Sequence, residues 1–212
     1  GRWLARMHQV GRDYRFKNRP IWNGQADLGR SETKTIIEQS CETVLNSGLL
    51  NEDFRPAYES LCRDLNELVK QQYQPTLSDT LRIHGDCHVG NLLWRDEQLY
   101  VVDFDDCVQG PAMQDIWMLL SGDREEQLQQ LESIRQGYEI FQPFPYHQLK
   151  WIECLRTIRL IKHTAWVVER WSDPAFPLAF PWFTGIRYWS EHVLSLREQL
   201  AALQEEPLYI PN

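Results

Sequence analysis

Apolar side chains recur at helical spacing through the N-terminal third of the chain. Residues 31–47 place them on one helical face, with Ser31 in the N-cap position and Gly48 in the C-cap position. The same spacing continues through residues 51–73 and ends in a polar segment that contains a proline. It also covers the first ten residues, whose apolar positions are Trp3, Leu4 and Met7. The pattern predicts that this third is helical.

The period changes near the middle of the chain. Short apolar stretches rich in β-forming residues occupy positions 81–83, 91–94 and 99–104, with turn-forming residues at 95–97. Helical spacing returns at 114–121, 125–138 and 146–171, followed by an aromatic, proline-rich loop at 172–184 and a final helix to about residue 203. These patterns predict a mainly helical (α+β) fold with a small central β element.

Composition and charge narrow the range of partners. The 212 residues include 22 Lys and Arg against 30 Asp and Glu, a formal net charge of −8. Nucleic-acid binding relies on clustered cations, so no nucleic-acid partner is expected. Charged residues and prolines interrupt the apolar runs before they reach the roughly 18 residues of a membrane span, so no membrane partner is expected either.

The cysteine pattern indicates a reducing compartment. Five cysteines form an odd set without any C-x-x-C pair, which predicts neither a disulfide framework nor a zinc ribbon. We therefore expect a cytoplasmic protein. Cys87 and Cys107 have no cationic sequence neighbour that would lower the pKa of the thiol, so we expect them to pack in the interior rather than to sense oxidation.

The strongest chemical signal lies in two central segments. Residues 84–91 are HGDCHVGN, and residues 102–105 are VDFD. Phosphoryl transfer needs a carboxylate at the attacking hydroxyl and oxygen ligands for Mg²⁺ that converge from separate segments. Asp86 and Asn91 have the spacing of the Asp and Asn in the protein-kinase catalytic loop H-R-D-x-x-x-x-N, and Asp103 matches the metal-binding Asp of D-F-G. Both kinds of group are present.

This pattern resembles the aminoglycoside phosphotransferase and choline kinase superfamily, whose catalytic loop is HGDxHxxN and whose metal segment is DFxD. Asp115, with Gly110 and Pro111 before it and Trp117 after it, continues the family pattern. The HGDCHxGN loop and the WxDPAFP ending at residues 171–177 are most similar to the bacterial stress response kinase A group of protein Ser/Thr kinases. The resemblance covers nearly the whole chain.

The resemblance implies a kinase that uses ATP and Mg²⁺ to phosphorylate a hydroxyl group. In this interpretation Asp86 is the catalytic base, and Asn91 and Asp103 are the magnesium ligands. The most similar group implies a Ser or Thr hydroxyl of a protein in a stress response as the acceptor. A small hydroxylated molecule is the second choice, and sequence does not separate the two.

Four further residues are expected to support these three. His84 and His88 are expected to make structural hydrogen bonds rather than bind zinc, since no third Cys or His stands at a ligand spacing. Asp105 is a candidate ligand for a second Mg²⁺, directly or through water. The family pattern implies that Asp115 hydrogen-bonds the backbone of the catalytic loop.

The chain lacks several parts that the family uses to hold the nucleotide. No G-x-G-x-x-G occurs, and no lysine lies on a predicted strand. We therefore interpret residues 1–212 as the C-terminal catalytic lobe of a longer, monomeric kinase, with the catalytic and metal-binding loops at 84–105. The residues that bind the nucleotide stay unknown, because they belong to an N-terminal lobe that this chain lacks, and the chain alone is expected to be inactive.

Three alternative functions compete with a protein kinase. Asp86-x-His88 imitates the D-x-H of a metallophosphoesterase, but neither GNH[DE] nor GHxH occurs. A pseudokinase could bind a partner through the aromatic segment 171–182. A small-molecule kinase could use tryptophans as a cage for a cationic substrate. The candidates for that cage are Trp151, Trp166, Trp171, Trp182 and Trp189.

Overall fold

The structure is a computed structural model that describes residues 1–13 and 35–211. Within them, the α-helices are α1 (Arg2–Asp13), α2 (Ile36–Leu45), α3 (Arg55–Gln72), α4 (Met113–Trp117), α5 (Arg124–Tyr138), α6 (Ile152–Glu169), α7 (Ala175–Ala179) and α8 (Ile186–Ala202). The strands are β1 (Thr80–Ile83), β2 (Leu92–Arg95), β3 (Gln98–Val101) and β4 (Val108–Pro111). Short 3₁₀ helices cover Glu52–Phe54, Leu77–Asp79, Val89–Asn91 and Tyr146–Trp151. The contacts divide the chain into two units, and we describe each by itself.

The first unit contains residues 1–13, 74–152 and 207–211 of the described chain. Strand β1 pairs with β4 in an antiparallel sheet, and β2 pairs with β3 in a separate hairpin. The hairpin turns at Asp96 and Glu97, which both have positive φ as the tight two-residue turns of hairpins require. The largest fully buried side chains here are Ile83, Met113, Ile116, Leu131, Tyr138 and Ile152.

Helix α1 packs closely against β1. Its buried residues are Leu4, Ala5, His8 and Gly11, whereas the predicted apolar positions Trp3 and Met7 are only half-buried. A Cβ on Gly11 would collide with the carbonyl oxygen of Arg82, so the small residue permits the close approach. The prediction of a helix is confirmed, but the buried face contains small residues and a histidine that hydrophobicity alone does not select.

The second unit contains residues 35–73 and 153–206 of the described chain. Helix α2 begins at a capping box, in which Thr35 Oγ1 accepts from Glu38 N at 3.0 Å and Glu38 Oε2 accepts from Thr35 N at 2.8 Å. The predicted N-cap Ser31 lies outside the described residues. Asn46, not Gly48, is the C-cap. Glycine at 48 instead adopts a φ of +70° in the turn beyond the helix.

A disulfide joins Cys41 of α2 to Cys62 of α3, with 6.3 Å between the two Cα atoms. The prediction that the cysteines form no disulfide is therefore wrong for this pair. The two residues lie 21 positions apart on neighbouring helices, and both are buried. Only the packing of α2 on α3 brings them together, and the spacing in sequence carries no sign of it.

Several element boundaries also differ from the prediction. Helix α4 ends at Trp117 rather than at 121, the segment 146–171 begins as a 3₁₀ helix, and α7 lies inside the predicted loop. Strand β4 was not predicted, because its Gly110 and Pro111 are typical of turns. A strand with one free edge tolerates both residues. None of the described helices combines the length and the hydrophobicity needed to cross a bilayer.

Candidate active site

The loop that follows β1 carries the first central motif, and Gly85 gives it its shape. Gly85 has a φ of +86°, a left-handed conformation that favours glycine. A Cβ at this position would collide with the carbonyl oxygen of Asp106, in the segment that carries the second motif. The glycine therefore lets the loop and that segment lie in direct contact.

Asp115, in the first turn of α4, anchors the backbone of this loop. Its Oδ2 accepts a hydrogen bond from His84 N, and its Oδ1 accepts one from Gly85 N, each at 2.8 Å. The carboxylate is completely buried. A buried charge is costly unless it is hydrogen-bonded, and these donors supply that compensation. The backbone contact that the family pattern implied for Asp115 is therefore present.

His84 connects the two motifs. Its Nδ1 accepts from Asp86 N at 3.3 Å, so Nε2 carries the ring proton and donates to the carbonyl of Val102 at 2.9 Å. Val102 directly precedes Asp103. The buried imidazole also packs on Phe104, with 4.7 Å between ring centroids. His84 thus makes the structural hydrogen bonds expected of it, from one motif to the other.

Asn91 lies against the backbone of Asp86. Its Nδ2 donates to Asp86 O at 2.9 Å, and its own carbonyl accepts from Val102 N at 3.1 Å. Because the amide nitrogen is used in this way, Oδ1 is the side-chain atom that can bind a cation. The bonds bring Asp86, Asn91 and the residue before Asp103 to one place.

The carboxylate of Asp86 is mostly buried and lies beside His88. His88 Nε2 is 3.5 Å from Asp86 Oδ2, and His88 Nδ1 accepts from Gly90 N at 2.9 Å. The second contact caps the 3₁₀ helix Val89–Asn91. Since Nδ1 is an acceptor, the ring proton is on Nε2, facing the carboxylate. His88 therefore caps the loop and lies beside the carboxylate of Asp86.

Asp103 adopts a left-handed backbone conformation that is uncommon for a residue with a side chain. Its φ is +65°, and its side chain is exposed. Such conformations cluster at functional sites, and Asp is among the residues that adopt them most readily. Asp105 follows in an exposed turn that is closed by the bond from Cys107 N to Phe104 O at 3.2 Å.

The donor set at this site suits magnesium. Asn91 and Asp103 offer an amide oxygen and a carboxylate, the hard ligands that Mg²⁺ takes from proteins while phosphate oxygens and water complete the shell. Within residues 1–13 and 35–211, no group of three or more His, Cys, Asp or Glu side chains is arranged to hold a metal ion. The described residues thus contain no zinc-type cluster, at His84 and His88 or elsewhere.

Two further side chains hold this loop, and neither was predicted from the sequence. His8 Nε2 lies 3.0 Å from Asp115 Oδ2, and Gln114 Nε2 donates to Gly85 O at 3.2 Å. Both side chains are completely buried. The available signal was weak: His8 follows Leu4 by one helical turn and so shares its face, but a histidine there is not distinctive.

Two alternative roles gain no support from the local environment. Cys87 is completely buried, and burial together with the nearby Asp115 and Asp86 raises the pKa of its thiol to about 12, so it stays protonated and unreactive. Trp189 is a core residue, and the guanidinium of Arg170 already lies 4.8 Å from the ring centre of Trp166. Trp189 therefore offers no open face to a cationic substrate, and Trp166 already has a cation of the chain over its ring.

Comparison with known proteins gives a consistent result. The profile of the phosphotransferase enzyme family matches residues 1–152. The chain is 42% identical to Stress response kinase A of Escherichia coli (strain K12) and 41% identical to Serine/threonine protein kinase RdoA of Salmonella typhimurium (strain LT2), over 210 residues in each case. Each alignment covers 99% of this chain and 61% of the relative, so the chain spans about three fifths of the length of these curated relatives.

Solved structures show the same fold at low sequence identity. The amicoumacin kinase hAmiN, in complex with AMP-PNP, Ca²⁺ and Ami, is similar with a TM-score of 0.59 at 17% identity, covering 100% of this chain and 59% of that one. The microcompartment-associated aminopropanol kinase has a TM-score of 0.58 at 15% identity, covering 96% and 59%. The predicted fold class, a mainly helical kinase-like lobe with a small β element, is confirmed.

Proposed function

Because this chain belongs to the phosphotransferase enzyme family, we propose that it takes part in an ATP- and Mg²⁺-dependent transfer of the γ-phosphate to a hydroxyl group. One observation carries the proposal. Asn91 donates to the carbonyl of Asp86 and accepts from the amide of Val102, so two hydrogen bonds link Asp86, Asn91 and the residue that precedes Asp103. Asp86, Asn91 and Asp103 have the residue types and spacing that phosphoryl transfer requires.

Asp86 is the proposed catalytic base. His88 Nε2 lies 3.5 Å from its carboxylate, and Asn91 donates to its backbone carbonyl, so the backbone that carries Asp86 is held before a hydroxyl arrives. The transition state of phosphoryl transfer is loose, and orientation of the attacking oxygen contributes more than full removal of its proton. The fixed loop supplies that orientation.

Asn91 Oδ1 and the Asp103 carboxylate are the proposed magnesium ligands, with Asp105 as a candidate for a second ion. When bound, Mg²⁺ would offset the charge on the phosphate oxygens and orient them. The side chain of Asn91 is held by its amide nitrogen, and Asp103 is aimed by its left-handed backbone. The direction of Asn91 Oδ1 is therefore set without help from a nucleotide.

We infer that the acceptor is a Ser or Thr hydroxyl of a protein in a stress response. The names of the relatives at 42% and 41% identity support this choice. Residues 1–212 then form the catalytic lobe, and the glycine-rich loop and lysine that hold ATP come from outside them. On its own the chain is expected to be inactive, and the full-length gene product to be a monomer.

The test is transfer of labelled γ-phosphate by the full-length gene product. One reaction contains ATP, Mg²⁺ and a generic protein acceptor, and a second contains a panel of amino alcohols and aminoglycosides. Label on protein supports the proposal in full, whereas label on a small molecule moves the acceptor to that class. Absence of label from both would contradict transfer and favour a pseudokinase.

Asp86→Asn tests the assignment of the base, with Asp96→Asn as its matched control. Asp96 is an exposed carboxylate at the tip of the β2–β3 hairpin, where Asn also suits the positive φ. We expect Asp86→Asn to lower kcat by at least about 100-fold, since positioned acid–base groups contribute about 10²–10⁴. Binding of a fluorescent ATP analogue should persist. Equal kcat in the two variants would remove Asp86 from its role.

A further inference from the structure

We propose that His8, on helix α1, is a positioning residue for phosphoryl transfer, because it fixes the carboxylate that anchors the loop carrying Asp86. This inference rests on the proposed function. His8 is far from the central motifs in sequence, 107 residues from Asp115, and belongs to no segment from which kinase chemistry was inferred. Its side chain nevertheless contacts Asp115, the carboxylate that anchors the loop.

The geometry around Asp115 shows how His8 acts. The carboxylate has no exposure to solvent and accepts from His84 N, Gly85 N and His8 Nε2 at 2.8, 2.8 and 3.0 Å. The two backbone donors belong to the loop itself. His8 is the donor that comes from another element, and it holds Oδ2 against the amide of His84. Removing it leaves the carboxylate free to rotate about χ2 and to loosen one loop contact.

The remaining contacts of His8 decide which ring nitrogen carries the proton. Gln142 Nε2 donates both to Ala5 O at 2.7 Å and to the hydroxyl oxygen of Tyr138 at 3.0 Å. The Tyr138 hydrogen then points to His8 Nδ1, 2.8 Å away. Nδ1 is therefore an acceptor, and the ring proton is on Nε2, facing Asp115. Burial raises the pKa of Tyr138, which keeps that hydroxyl protonated.

The four groups form a directed chain of hydrogen bonds. It runs from Gln142 through Tyr138 and His8 to the carboxylate of Asp115, which also accepts from the His84 and Gly85 amides just before Asp86. Histidine suits the third place because its two ring nitrogens accept on one side and donate on the opposite side. Leucine or phenylalanine would fill a similar volume and leave the hydroxyl hydrogen of Tyr138 without an acceptor and one carboxylate lone pair of Asp115 without a donor.

A buried histidine that only stabilises the fold would predict a different outcome. Loss of such a residue lowers the amount of folded enzyme and leaves each folded molecule as active as before. A positioning residue instead changes kcat per folded molecule, since misplacement of a catalytic group by about 1 Å costs about 100-fold. The KM for ATP should stay nearly constant, because His8 contacts the support of Asp86 and neither of the proposed metal ligands.

The experiment compares variants of the full-length gene product. His8→Phe keeps the ring and removes both hydrogen bonds, His8→Gln keeps a donor near the place of Nε2, and Tyr138→Phe removes only the distal hydroxyl. His147→Gln is the matched control, because His147 is also paired with an aspartate, at 3.1 Å from Asp79, but is exposed. Active-site titration with a tight nucleotide analogue normalises kcat to folded enzyme.

We expect His8→Phe to lower kcat by about 10- to 100-fold with KM for ATP within about twofold, and His8→Gln to recover most of that loss. Tyr138→Phe should cost a few-fold, and His147→Gln nothing. Amide hydrogen exchange provides a readout without turnover: His8→Phe should speed exchange at the His84 and Gly85 amides well above the change at β4 amides. If His8→Phe is too unstable for kinetics, the same exchange measurement is made on His8→Gln and Tyr138→Phe. It needs no substrate, so it still decides whether the loop amides depend on His8.

The outcomes separate failure of this inference from failure of the proposed function. If the unmodified protein transfers phosphate and His8→Phe has the same kcat and the same loop exchange, His8 has no positioning role. A uniform rise in exchange across the first unit, with kcat per folded enzyme unchanged, also overturns it. If the unmodified protein transfers no phosphate to either acceptor class, the proposed function has failed, while faster exchange confined to the loop would still show that His8 fixes Asp115.

Discussion

Replacement of Asp115 by Asn tests whether one buried carboxylate supports the whole loop. The carboxylate oxygen Oδ2 receives two donors and Oδ1 receives one. Asparagine has one amide oxygen. When this oxygen takes the place of Oδ2, the donors His8 Nε2 and His84 N both keep an acceptor. Its NH₂ group then faces the amide of Gly85. The variant therefore loses at least the Gly85 bond, at the residue that precedes Asp86.

The size of the effect follows from this single lost bond. A buried donor left without an acceptor costs about 1–3 kcal/mol, and the bonds that remain also weaken because the acceptor has lost its charge. We expect the free energy of unfolding to fall by about 3 kcal/mol, less than the roughly 5–15 kcal/mol that holds a typical protein folded. The variant should thus fold and still have a much lower kcat.

Amide hydrogen exchange is the suitable assay, because it resolves individual residues and so reports on the first unit by itself. Exchange at Gly85 should rise most. Asp123→Asn is the control: Asp123 caps α5 by accepting from Glu126 N at 3.0 Å, and Asn caps helices about equally well. The reasoning is refuted if Asp115→Asn leaves Gly85 exchange unchanged, or if both variants lose the same stability.

Three further predictions address other features. Gly85→Ala should reduce phosphoryl transfer at least tenfold, because the residue has positive φ and faces Asp106 O, and unchanged activity would contradict the close contact described. Reduction of the Cys41–Cys62 disulfide should lower stability by about 3 kcal/mol for a loop of this length, measured by thermal unfolding with and without reductant and with a Cys41→Ser, Cys62→Ser protein as the control. Burial lowers the pKa of His192 to about 4. The contribution of the neutral, buried imidazole to the free energy of unfolding is therefore complete above the ordinary pKa near 6.5. It is lost as the pH falls towards 4, by at most about 3 kcal/mol. His192→Gln should flatten the pH dependence of unfolding over that range, and an identical pH profile would exclude the effect.

Local pattern predicted much of the fold because the helices are amphipathic and the hairpin strands are β-forming. The candidate site residues could also be predicted, since Asp86 and Asn91 lie in one short loop and have the spacing of a kinase catalytic loop. The structure brings Asn91, Asp86 and the residue before Asp103 into contact, as the motifs lead one to expect. Their catalytic roles stay predictions.

The features that sequence did not predict all depend on contacts between distant segments. His8 and Asp115 meet only because Gly11 lets α1 lie close to β1. Cys41 and Cys62 meet only through the packing of α2 on α3. In each case the residue has an ordinary local environment in sequence, and its significance comes from a partner that no periodicity identifies.

The hairpin formed by β2 and β3 lies between the two proposed metal ligands, Asn91 and Asp103. The distance between these ligands does not depend on the length of the hairpin. Asn91 and Val102 flank the hairpin, and the first cross-strand pair is Leu92 with Val101. The spacing of the two proposed ligands is therefore set by strand pairing at the open end and not by the residues at the turn. Asp96 and Glu97, at the exposed tip, form a permissive position: a fluorophore, an affinity tag or an insertion there should leave the proposed metal ligands in register, provided that the strand pairs nearest the site are kept.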